Sequence, residues 1–535
     1  MKNIAAQCID QLCGQGLSNK TAIRWFDKDV KETLISYGMI CSSSNKIAQI
    51  LKDFGIKKGD CVSMFLPRSP ELIHSFFAIM KLEAVACILF STFGESALLD
   101  RLSDSKTHII ITKMSLVNRV KKVVSLLKDL SIVLVIDSDE DLDSTFLSLP
   151  KLLLNTTDAF EYPLDLDPET PAFIQYTSGS TGKPKGALHV HQGIVSMIAS
   201  FKEVFALESR ETYWCTADPA WITGLVYGII APLACQSNQI QFAGNFNPHV
   251  WLSLLEKQKV VVWYTAPTVL RILMKEAPAV FKAFDFSSLD RIFSVGEPLN
   301  PEIYHWGKRV FGREIYDNWF QSETGSIMIT NKPSCPVKPG SMGKPLSYIN
   351  PVIMSEDYKP TDTGKQGHLC LVKGWPSMFR TYINKEALYR EKFRGDIYIS
   401  GDLAYQDKEG YFWYVSRSDD VINTAGHLVG PFEVESILLE IEEIIDVAVI
   451  GAPDPTLHQK IVAFVCLKEG VEWDRKLELK CRVTVSNKVS TTAAPQEFIV
   501  VDTIPKNKSG KILRRVLKAR YAGEDPGDIS TIEEE

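Results

Sequence analysis

The segment Tyr176-Thr177-Ser178-Gly179-Ser180-Thr181-Gly182-Lys183-Pro184-Lys185-Gly186 is the most informative stretch of this 535-residue chain. Its glycines let the backbone turn tightly around an anion, and its hydroxyl groups and lysines can surround a polyphosphate. An ordinary P-loop has four residues between its glycines and a Ser or Thr after its lysine. Here only two residues separate the glycines, and Pro184 follows the lysine. The segment therefore predicts a phosphate-binding loop of another class.

The sequence around this loop predicts an α/β fold. Ile47, Ile50, Leu51 and Phe54 follow the i, i+3, i+4, i+7 spacing of a helix that ends at Gly55. A further helix is predicted over residues 70–80, because Ser69-Pro70 supplies an N-cap and a first-turn proline. Continuous apolar strands between helices indicate parallel sheets covered on both faces. Strands are predicted over residues 61–66, 84–90, 108–112, 132–136, 173–176, 260–264 and 291–295.

The length of the chain predicts more than one domain, because single cores stop growing near about 250 to 300 residues. The sequence becomes polar and charged near Ser416-Arg417-Ser418-Asp419-Asp420, and a compact α+β pattern follows. We therefore expect a large domain over residues 1–416, a hinge over 417–420 and a small domain over 421–535.

The composition excludes several classes of protein. The 59 Lys and Arg residues against 65 Asp and Glu give a net charge of −6, which disfavours broad nucleic-acid binding. The 11 cysteines form no CxxC pair, which favours free thiols in a reducing compartment. The start of the chain does not resemble a signal peptide, and no apolar run reaches the length of a membrane span. We therefore expect a cytoplasmic protein that binds neither nucleic acid nor membrane.

Four further motifs follow the loop along the chain, and the five together resemble the ordered motifs of a known superfamily. They are Gly296-Glu297-Pro298; Asp317-Asn318-Trp319-Phe320-Gln321-Ser322-Glu323-Thr324-Gly325; Gly401-Asp402 with Arg417; and Pro505-Lys506-Asn507-Lys508-Ser509-Gly510-Lys511-Ile512. This set resembles the adenylate-forming superfamily of acyl-CoA synthetases, luciferases and adenylation domains of peptide synthetases. Within it the chain resembles the shorter bacterial acetyl-CoA synthetases, through residues 215–224, 294–298, 338–345 and 374–378. The resemblance covers nearly the whole chain and implies a large domain and a small, mobile domain.

The resemblance also implies a role for each motif. Lys511 is expected to bridge the carboxylate and the α-phosphate of ATP, Asp402 and Arg417 to hold the ribose, and Glu323 to associate with Mg²⁺. Asp419 is expected at the hinge. The ATP and AMP site is expected to contain Thr177, Ser178, Gly179, Ser180, Thr181, Gly182, Lys183, Gly296, Glu297, Pro298, Asp317, Asn318, Trp319, Phe320, Gln321 and Ser322. The acyl pocket is expected to contain Ile222, Thr223, Val295 and Phe320, and the CoA site Ala425, Gly426 and His427.

The chain also departs from the pattern that it resembles. Phe320 stands where the acetate-activating enzymes carry Trp, which predicts a deeper acyl pocket for acids of about two to four carbons. Ser416 replaces a Gly before the ribose-clamp arginine, and Leu428 replaces an Arg near phosphate. Ser486 and Lys488 do not reproduce an arginine that some relatives place near the CoA 3′-phosphate. These departures predict reduced activity, weakened CoA use or an altered acceptor.

The sequence thus predicts an AMP-forming acyl-CoA synthetase for acetate or another short-chain acid, with ATP, Mg²⁺ and CoA. Two alternatives are an enzyme that loads a carrier protein or activates a medium-chain or branched acid, and a non-catalytic nucleotide-binding relative. Acylation of Lys511 is a further hypothesis, because it removes the charge of the lysine. The oligomeric state and the net direction of the reaction stay open.

Overall fold

Two large, mainly parallel sheets form the body of the protein. The computed structural model describes residues 2–177, 184–424, 427–506 and 511–526. The first sheet has nine strands, in the order Lys344–Pro345, Ile329–Thr330, Ile315–Trp319, Arg291–Ser294, Val260–Thr265, Thr212–Cys215, Asn238–Phe242, Thr21–Phe26 and Glu32–Ser36. The second has eight, in the order Thr381–Tyr382, Lys185–Val190, Pro171–Thr177, Val85–Leu89, Cys61–Phe65, Thr107–Thr112, Ile132–Val135 and Phe146–Ser148.

The central strands of both sheets run parallel, which confirms the predicted fold class. In the eight-stranded sheet, Cys61–Phe65 pairs in parallel with Val85–Leu89 and with Thr107–Thr112. In the nine-stranded sheet, Arg291–Ser294 pairs in parallel with Val260–Thr265 and with Ile315–Trp319. The strand at each end of the two sheets runs antiparallel to its neighbour, except Phe146–Ser148, which pairs in parallel.

The helices begin and end where the local sequence provides caps. The hydroxyl of Ser69 accepts the amide of Leu72 and opens helix Pro70–Lys81, as predicted. The helix predicted from Ile47 to Phe54 begins earlier, because Ser36 caps it by accepting the amide of Met39. The α-helices are Tyr37–Asp53, Pro70–Lys81, Glu95–Asp104, Met114–Val124, Leu149–Leu154, Ile194–Phe205, Ile222–Leu225, Ala231–Ala234, Pro248–Lys257, Pro267–Met274, Pro278–Phe281, Pro301–Phe311, Glu386–Glu391, Pro431–Leu438, Arg475–Lys488 and Arg514–Ala522.

Two smaller sheets follow along the chain. In one, Pro351–Met354, Gly367–Val372, Ile397–Gln406 and Phe393–Arg394 pair in that order, and Phe412–Arg417 joins Ile397–Gln406. In the other, His427–Val429, Ile422–Thr424, His458–Leu467 and Ile444–Asp454 pair in that order, and Glu497–Val500 joins His458–Leu467. The last sheet encloses hydrophobic clusters of its own, which include Val449 and Val462. We propose that this sheet belongs to a small domain over residues 421–535, which a hinge over residues 417–420 joins to a large domain over residues 1–416.

The main hydrophobic core joins the two large sheets, because one cluster contains buried residues of both, such as Val62 and Phe293. All 11 cysteines are free thiols, and seven of them are buried. Within the described ranges, none of the helices combines the length and the apolar character that a membrane crossing requires.

Candidate active site

A cleft of about 1310 Å³ opens where the parallel strands of both large sheets end. Open α/β sheets bind ligands at the carboxyl ends of their strands. Strands Pro171–Thr177, Arg291–Ser294 and Ile315–Trp319 each deliver a predicted motif to this cleft. The predicted residues that line it are Thr177, Ile222, Thr223, Val295, Gly296, Glu297, Pro298, Asp317, Asn318, Trp319, Phe320, Gln321, Ser322, Glu323, Asp402, Arg417 and Lys511.

The other predicted residues fall into two groups. Residues 178–183 of the phosphate loop, together with Ala425 and Gly426, lie outside the described residues. Asp419 and His427 are described but do not line the cleft. Asp419 lies between two strands, where its carboxylate is 3.5 Å from Nε of Arg417.

Asp402 is the centre of a buried hydrogen-bond network. Its Oδ2 accepts the indole N–H of Trp319 at 2.9 Å and the amide of Gln321 at 2.9 Å, and its Oδ1 accepts Nη1 of Arg417 at 3.0 Å. Gln321 is held in turn, because its Oε1 accepts the hydroxyl of Tyr398 at 2.9 Å. A carboxylate offers about four acceptor sites, so three protein donors leave capacity for a ligand hydroxyl.

Arg417 lines the cleft and carries a permanent positive charge. Burial disfavours that charge, but the carboxylates of Asp402 and Asp419 outweigh it and raise the pKa of Arg417 above its ordinary value. Arg417 ends strand Phe412–Arg417 and pairs directly across the sheet with Asp402 in strand Ile397–Gln406. Backbone pairing therefore holds Arg417 beside Asp402.

Lys511 enters the same cleft from the last part of the chain. Its side chain is accessible to solvent in the cleft, while the surrounding protein and then the charge of Arg417 lower its pKa. Asp402, Asp419 and Asp420 act in the opposite direction. A second lysine, Lys185, follows the phosphate loop, and burial and then Lys392 lower its pKa. Cationic side chains from distant segments, Arg417 and Lys511 among them, therefore meet in the cleft.

Asp317 is a buried acid beside the cleft. Its Oδ1 accepts the hydroxyl of Ser294 at 2.6 Å, and burial raises the pKa of the carboxyl to about 8. The neighbouring Asn318 accepts the hydroxyl of Tyr264 at 2.8 Å. Side chains thus tie strand Ile315–Trp319 to the adjacent strand Arg291–Ser294 and to strand Val260–Thr265 beyond it.

The four residues predicted for the acyl pocket all line the cleft. Ile222 and Thr223 open the short helix Ile222–Leu225, and both are buried. Gly224 permits this packing, because a Cβ at that position would lie 2.1 Å from the carbonyl oxygen of Asp218. The ring of Phe320 packs edge-on against Tyr227, with ring centroids 5.6 Å apart.

Glu297 is fixed by residues that the sequence analysis did not identify. Its Oε1 accepts the amide of Thr268 at 2.7 Å, and its Oε2 lies 3.3 Å from Nη2 of Arg271. Both partners follow strand Val260–Thr265 and line the cleft. The rule that ligands bind beyond the carboxyl ends of parallel strands could have identified this segment.

Glu323 offers a carboxylate that suits a hard cation. It is half-buried, and its Oε1 accepts the hydroxyl of Tyr382 at 2.6 Å. Mg²⁺ is usually bound in proteins through one or two carboxylates together with substrate phosphates. A single carboxylate at the cleft wall therefore fits this ion, although the described ranges hold no cluster of three or more metal-ligating side chains.

Two further arginines line the cleft and were not predicted. Nη1 of Arg68 donates to the carbonyl of Thr216 at 3.0 Å, and Nη1 of Arg119 donates to the carbonyl of Ser91 at 2.8 Å. Within the described part of the chain, neither forms an ion pair with a carboxylate. A guanidinium group has five N–H donors, so both retain capacity to bind an anion.

Comparisons with known proteins agree with this geometry. A family model described as AMP-binding enzyme matches residues 13–383, and one described as AMP-binding enzyme C-terminal domain matches residues 433–511. The chain is 40% identical to an acetyl-coenzyme A synthetase of Bacillus subtilis (strain 168), over 99% of this chain and 93% of that protein. It is 34% identical to an acetyl-coenzyme A synthetase of Chlorobaculum tepidum, over 99% of this chain and 84% of that protein.

A solved structure extends the comparison to three dimensions. The crystal structure of the anthranilate CoA ligase AuaEII in complex with anthranoyl-AMP aligns with a TM-score of 0.87 at 26% identity. The alignment covers 97% of each chain. The similarity therefore extends over both large sheets and over the smaller sheets that follow them.

Proposed function

This chain belongs to the AMP-binding enzyme family, and from that premise we propose that it is an AMP-forming acyl-CoA synthetase. It activates acetate or another short-chain carboxylate with ATP through an acyl-adenylate, and then transfers the acyl group to CoA. The observation that carries the proposal is the meeting of Lys511 with Asp402, Arg417 and Glu323 in one cleft.

The chemistry explains why the reaction needs cationic side chains such as Lys511 and Arg417 in the cleft. A carboxylate is a poor electrophile, so it is activated by attack on the α-phosphate of ATP, with pyrophosphate as the leaving group. This step brings anions together, and catalysis therefore depends on positioning and on positive charge at the phosphate that is attacked. Lys511 supplies that charge, and the phosphate loop from Thr177 to Lys183 holds the rest of the triphosphate.

The nucleoside is held by the network around Asp402. The ribose hydroxyls donate to this carboxylate, and Arg417 donates to the ribose or to a phosphate. Trp319 presents its ring to adenine, while its indole N–H keeps the ring in place through Asp402. Residues 296–298 close the adenine side, where Thr268 and Arg271 fix Glu297.

Glu323 is the proposed residue for the Mg²⁺ that accompanies ATP. When bound, the ion neutralises part of the charge on the phosphates. Tyr382 orients the Glu323 carboxylate by donating its hydroxyl to Oε1.

The acyl pocket limits the length of the acid. The proposed lining of the pocket is Ile222, Thr223, Val295 and Phe320, which all line the cleft. Acids of about two to four carbons are the proposed substrates. One methylene in a hydrophobic pocket changes selectivity by about 1–3 kcal/mol, so the preference is graded.

Thiolate attack from CoA on the acyl-adenylate completes the reaction. Arg68 and Arg119 support an anionic second substrate, because both line the cleft and retain N–H donors. Ala425, Gly426 and His427 are proposed to face the pantetheine after the small domain turns about Asp419. The absence of an arginine at Ser486 and Lys488 is proposed to weaken binding of the CoA 3′-phosphate, and Leu428 leaves one cation fewer near phosphate.

The decisive experiment is a carboxylate panel from acetate to octanoate with ATP and Mg²⁺, in the presence and absence of CoA. The proposal predicts AMP, pyrophosphate and acyl-CoA as products, with the highest kcat/KM at two to four carbons. If octanoate gave the highest kcat/KM, the proposed size of the acyl pocket would be wrong. Release of AMP without consumption of CoA would instead favour loading of a carrier protein, and no turnover with any acid would favour a non-catalytic relative.

The charge of Lys511 also suggests a means of control. Acylation converts the ammonium to a neutral amide and removes the charge that adenylation requires. Chemically acetylated enzyme, with the modified site mapped to Lys511, should lose adenylation activity. Full activity at complete modification of that site would refute this control.

A further inference from the structure

Two ion pairs fasten the chain on both sides of the segment that ends in Lys511. On the N-terminal side, Nζ of Lys506 lies 2.5 Å from Oδ2 of Asp446. On the C-terminal side, Nη2 of Arg514 lies 2.5 Å from Oε1 and 2.6 Å from Oε2 of Glu435. All four side chains are at least 86% buried, which is unusual for ion pairs, most of which lie at the surface.

The backbone joins these two anchors into one unit. Lys506 and Ile512 form an antiparallel β-bridge, and the amide of Leu513 donates to the carbonyl of Pro505 at 2.9 Å. Lys511 therefore lies one residue from the bridge and three residues from Arg514. A shift of either anchor is transmitted to Lys511 through very few rotatable bonds.

The acceptors of both pairs belong to regular structure. Asp446 is part of strand Ile444–Asp454, and Glu435 is part of helix Pro431–Leu438. Glu435 also accepts the amide of Val449 at 2.8 Å, and Nε of Arg514 donates to the carbonyl of Val449 at 3.1 Å. The anchors thus tie the lysine to a helix and a strand that support each other.

We propose that Asp446 and Glu435 are positioning residues, which fix the ends of the Lys511 segment so that its ammonium reaches the reacting phosphate. Both carboxylates also line the cleft, and the proposal assigns their effect to Lys506 and Arg514, which they hold in place. The proposal rests on the proposed function, because it assigns these residues to the adenylation step. A misplacement of about 1 Å in a catalytic group can reduce a rate by about 100-fold.

The test measures the two half-reactions separately in the full-length enzyme. Asp446→Asn and Glu435→Gln keep the shape of each side chain and remove the charge. Each variant should lower kcat for acetate-dependent pyrophosphate exchange by about 10- to 100-fold, with the KM for ATP within about twofold. Thioester formation from synthetic acetyl-adenylate and CoA should stay within about twofold, because that step does not use Lys511.

Controls separate positioning from damage to the fold. Glu442→Gln removes an exposed carboxylate in the same region and should leave both half-reactions unchanged. A double-mutant cycle of Asp446→Asn with Lys506→Met should be strongly non-additive in the adenylation rate, because either change breaks the same anchor. Equal losses in both half-reactions, or additive effects in the cycle, would overturn the positioning role.

The failure of this inference can be distinguished from the failure of the proposed function. If the unmodified enzyme shows no acetate-dependent pyrophosphate exchange, the proposed function itself is wrong. If the unmodified enzyme is active and Lys511→Ala abolishes exchange while Asp446→Asn and Glu435→Gln do not reduce it, only the anchoring is wrong.

Discussion

Trp319 donates its indole N–H to the carboxylate of Asp402 across 2.9 Å. The bond joins strand Ile315–Trp319 of the nine-stranded sheet to strand Ile397–Gln406 of a smaller sheet. The proposed adenine-side and ribose-side contacts are therefore parts of one buried network. A change at Asp402 should disturb both.

We expect Asp402→Asn to lower kcat/KM for ATP by about 10- to 100-fold, because hydrogen bonds to a charged group contribute about 1.5–3 kcal/mol. The amide also turns one acceptor into a donor that faces Trp319, Gln321 and Arg417. Pyrophosphate exchange at varied ATP concentrations measures the effect. Asp396→Asn, at an exposed carboxylate, is the matched control. Equal activity of the two variants would remove Asp402 from the nucleotide site.

Asp317 should make stability depend on pH. Its pKa of about 8 in the folded protein lies above the value of about 3.9 expected for an unfolded chain. The folded protein therefore binds the Asp317 carboxyl proton more tightly than the unfolded chain does. The stability that this difference contributes is fully present below about pH 4 and is lost as the pH rises to about 8.

The side chain of Asp317→Asn does not titrate. The free energy of unfolding of this variant, minus that of the unmodified protein, should therefore rise by up to about 1.4 kcal/mol per pH unit between about pH 4 and 8. Above about pH 8 the difference should level off. Melting temperatures of both proteins across this range test the slope. Asp357→Asn, at an exposed position, should show no such trend. A constant difference between Asp317→Asn and the unmodified protein would refute the raised pKa.

Phe320→Trp should narrow the acyl pocket. Phe320 lines the cleft and already packs against Tyr227, so the larger ring has little room except toward the acid. We expect kcat/KM for butyrate relative to acetate to fall by about 10-fold or more, in line with about 1–3 kcal/mol per methylene. The KM for ATP serves as the internal control. An unchanged ratio of butyrate to acetate would show that Phe320 does not bound the pocket.

Lys81 should be important for stability rather than for chemistry. Its side chain is fully buried, and its Nζ lies 2.9 Å from Asp10 and 2.6 Å from Asn45. Lys81→Met leaves Asp10 without its cation, which typically costs about 3–5 kcal/mol for a buried pair. Lys58→Met breaks an exposed pair with Glu83 and should cost at most about 1 kcal/mol. Urea denaturation compares the two variants, and similar midpoints would contradict this ranking.

Local patterns in the sequence predicted the parts of the fold that depend on neighbouring residues. Ser69-Pro70 marked a helix start correctly, and the apolar runs predicted the strands that deliver the motifs. The partners across the site could not be predicted in this way. Trp319 and Asp402 are 83 residues apart, and Glu323 and Tyr382 are 59 apart. No periodicity encodes such pairs, because tertiary packing of separate sheets creates them.

The central claim is that Lys511 provides the charge for adenylation, and Lys511→Ala tests it most directly. Acetate-dependent pyrophosphate exchange should fall by about 100-fold or more, as expected when one preorganised electrostatic contact is removed. Thioester formation from synthetic acetyl-adenylate and CoA should persist, and Lys480→Ala, at an exposed lysine, should leave both reactions intact. Pyrophosphate exchange within about threefold of the unmodified enzyme would contradict the account.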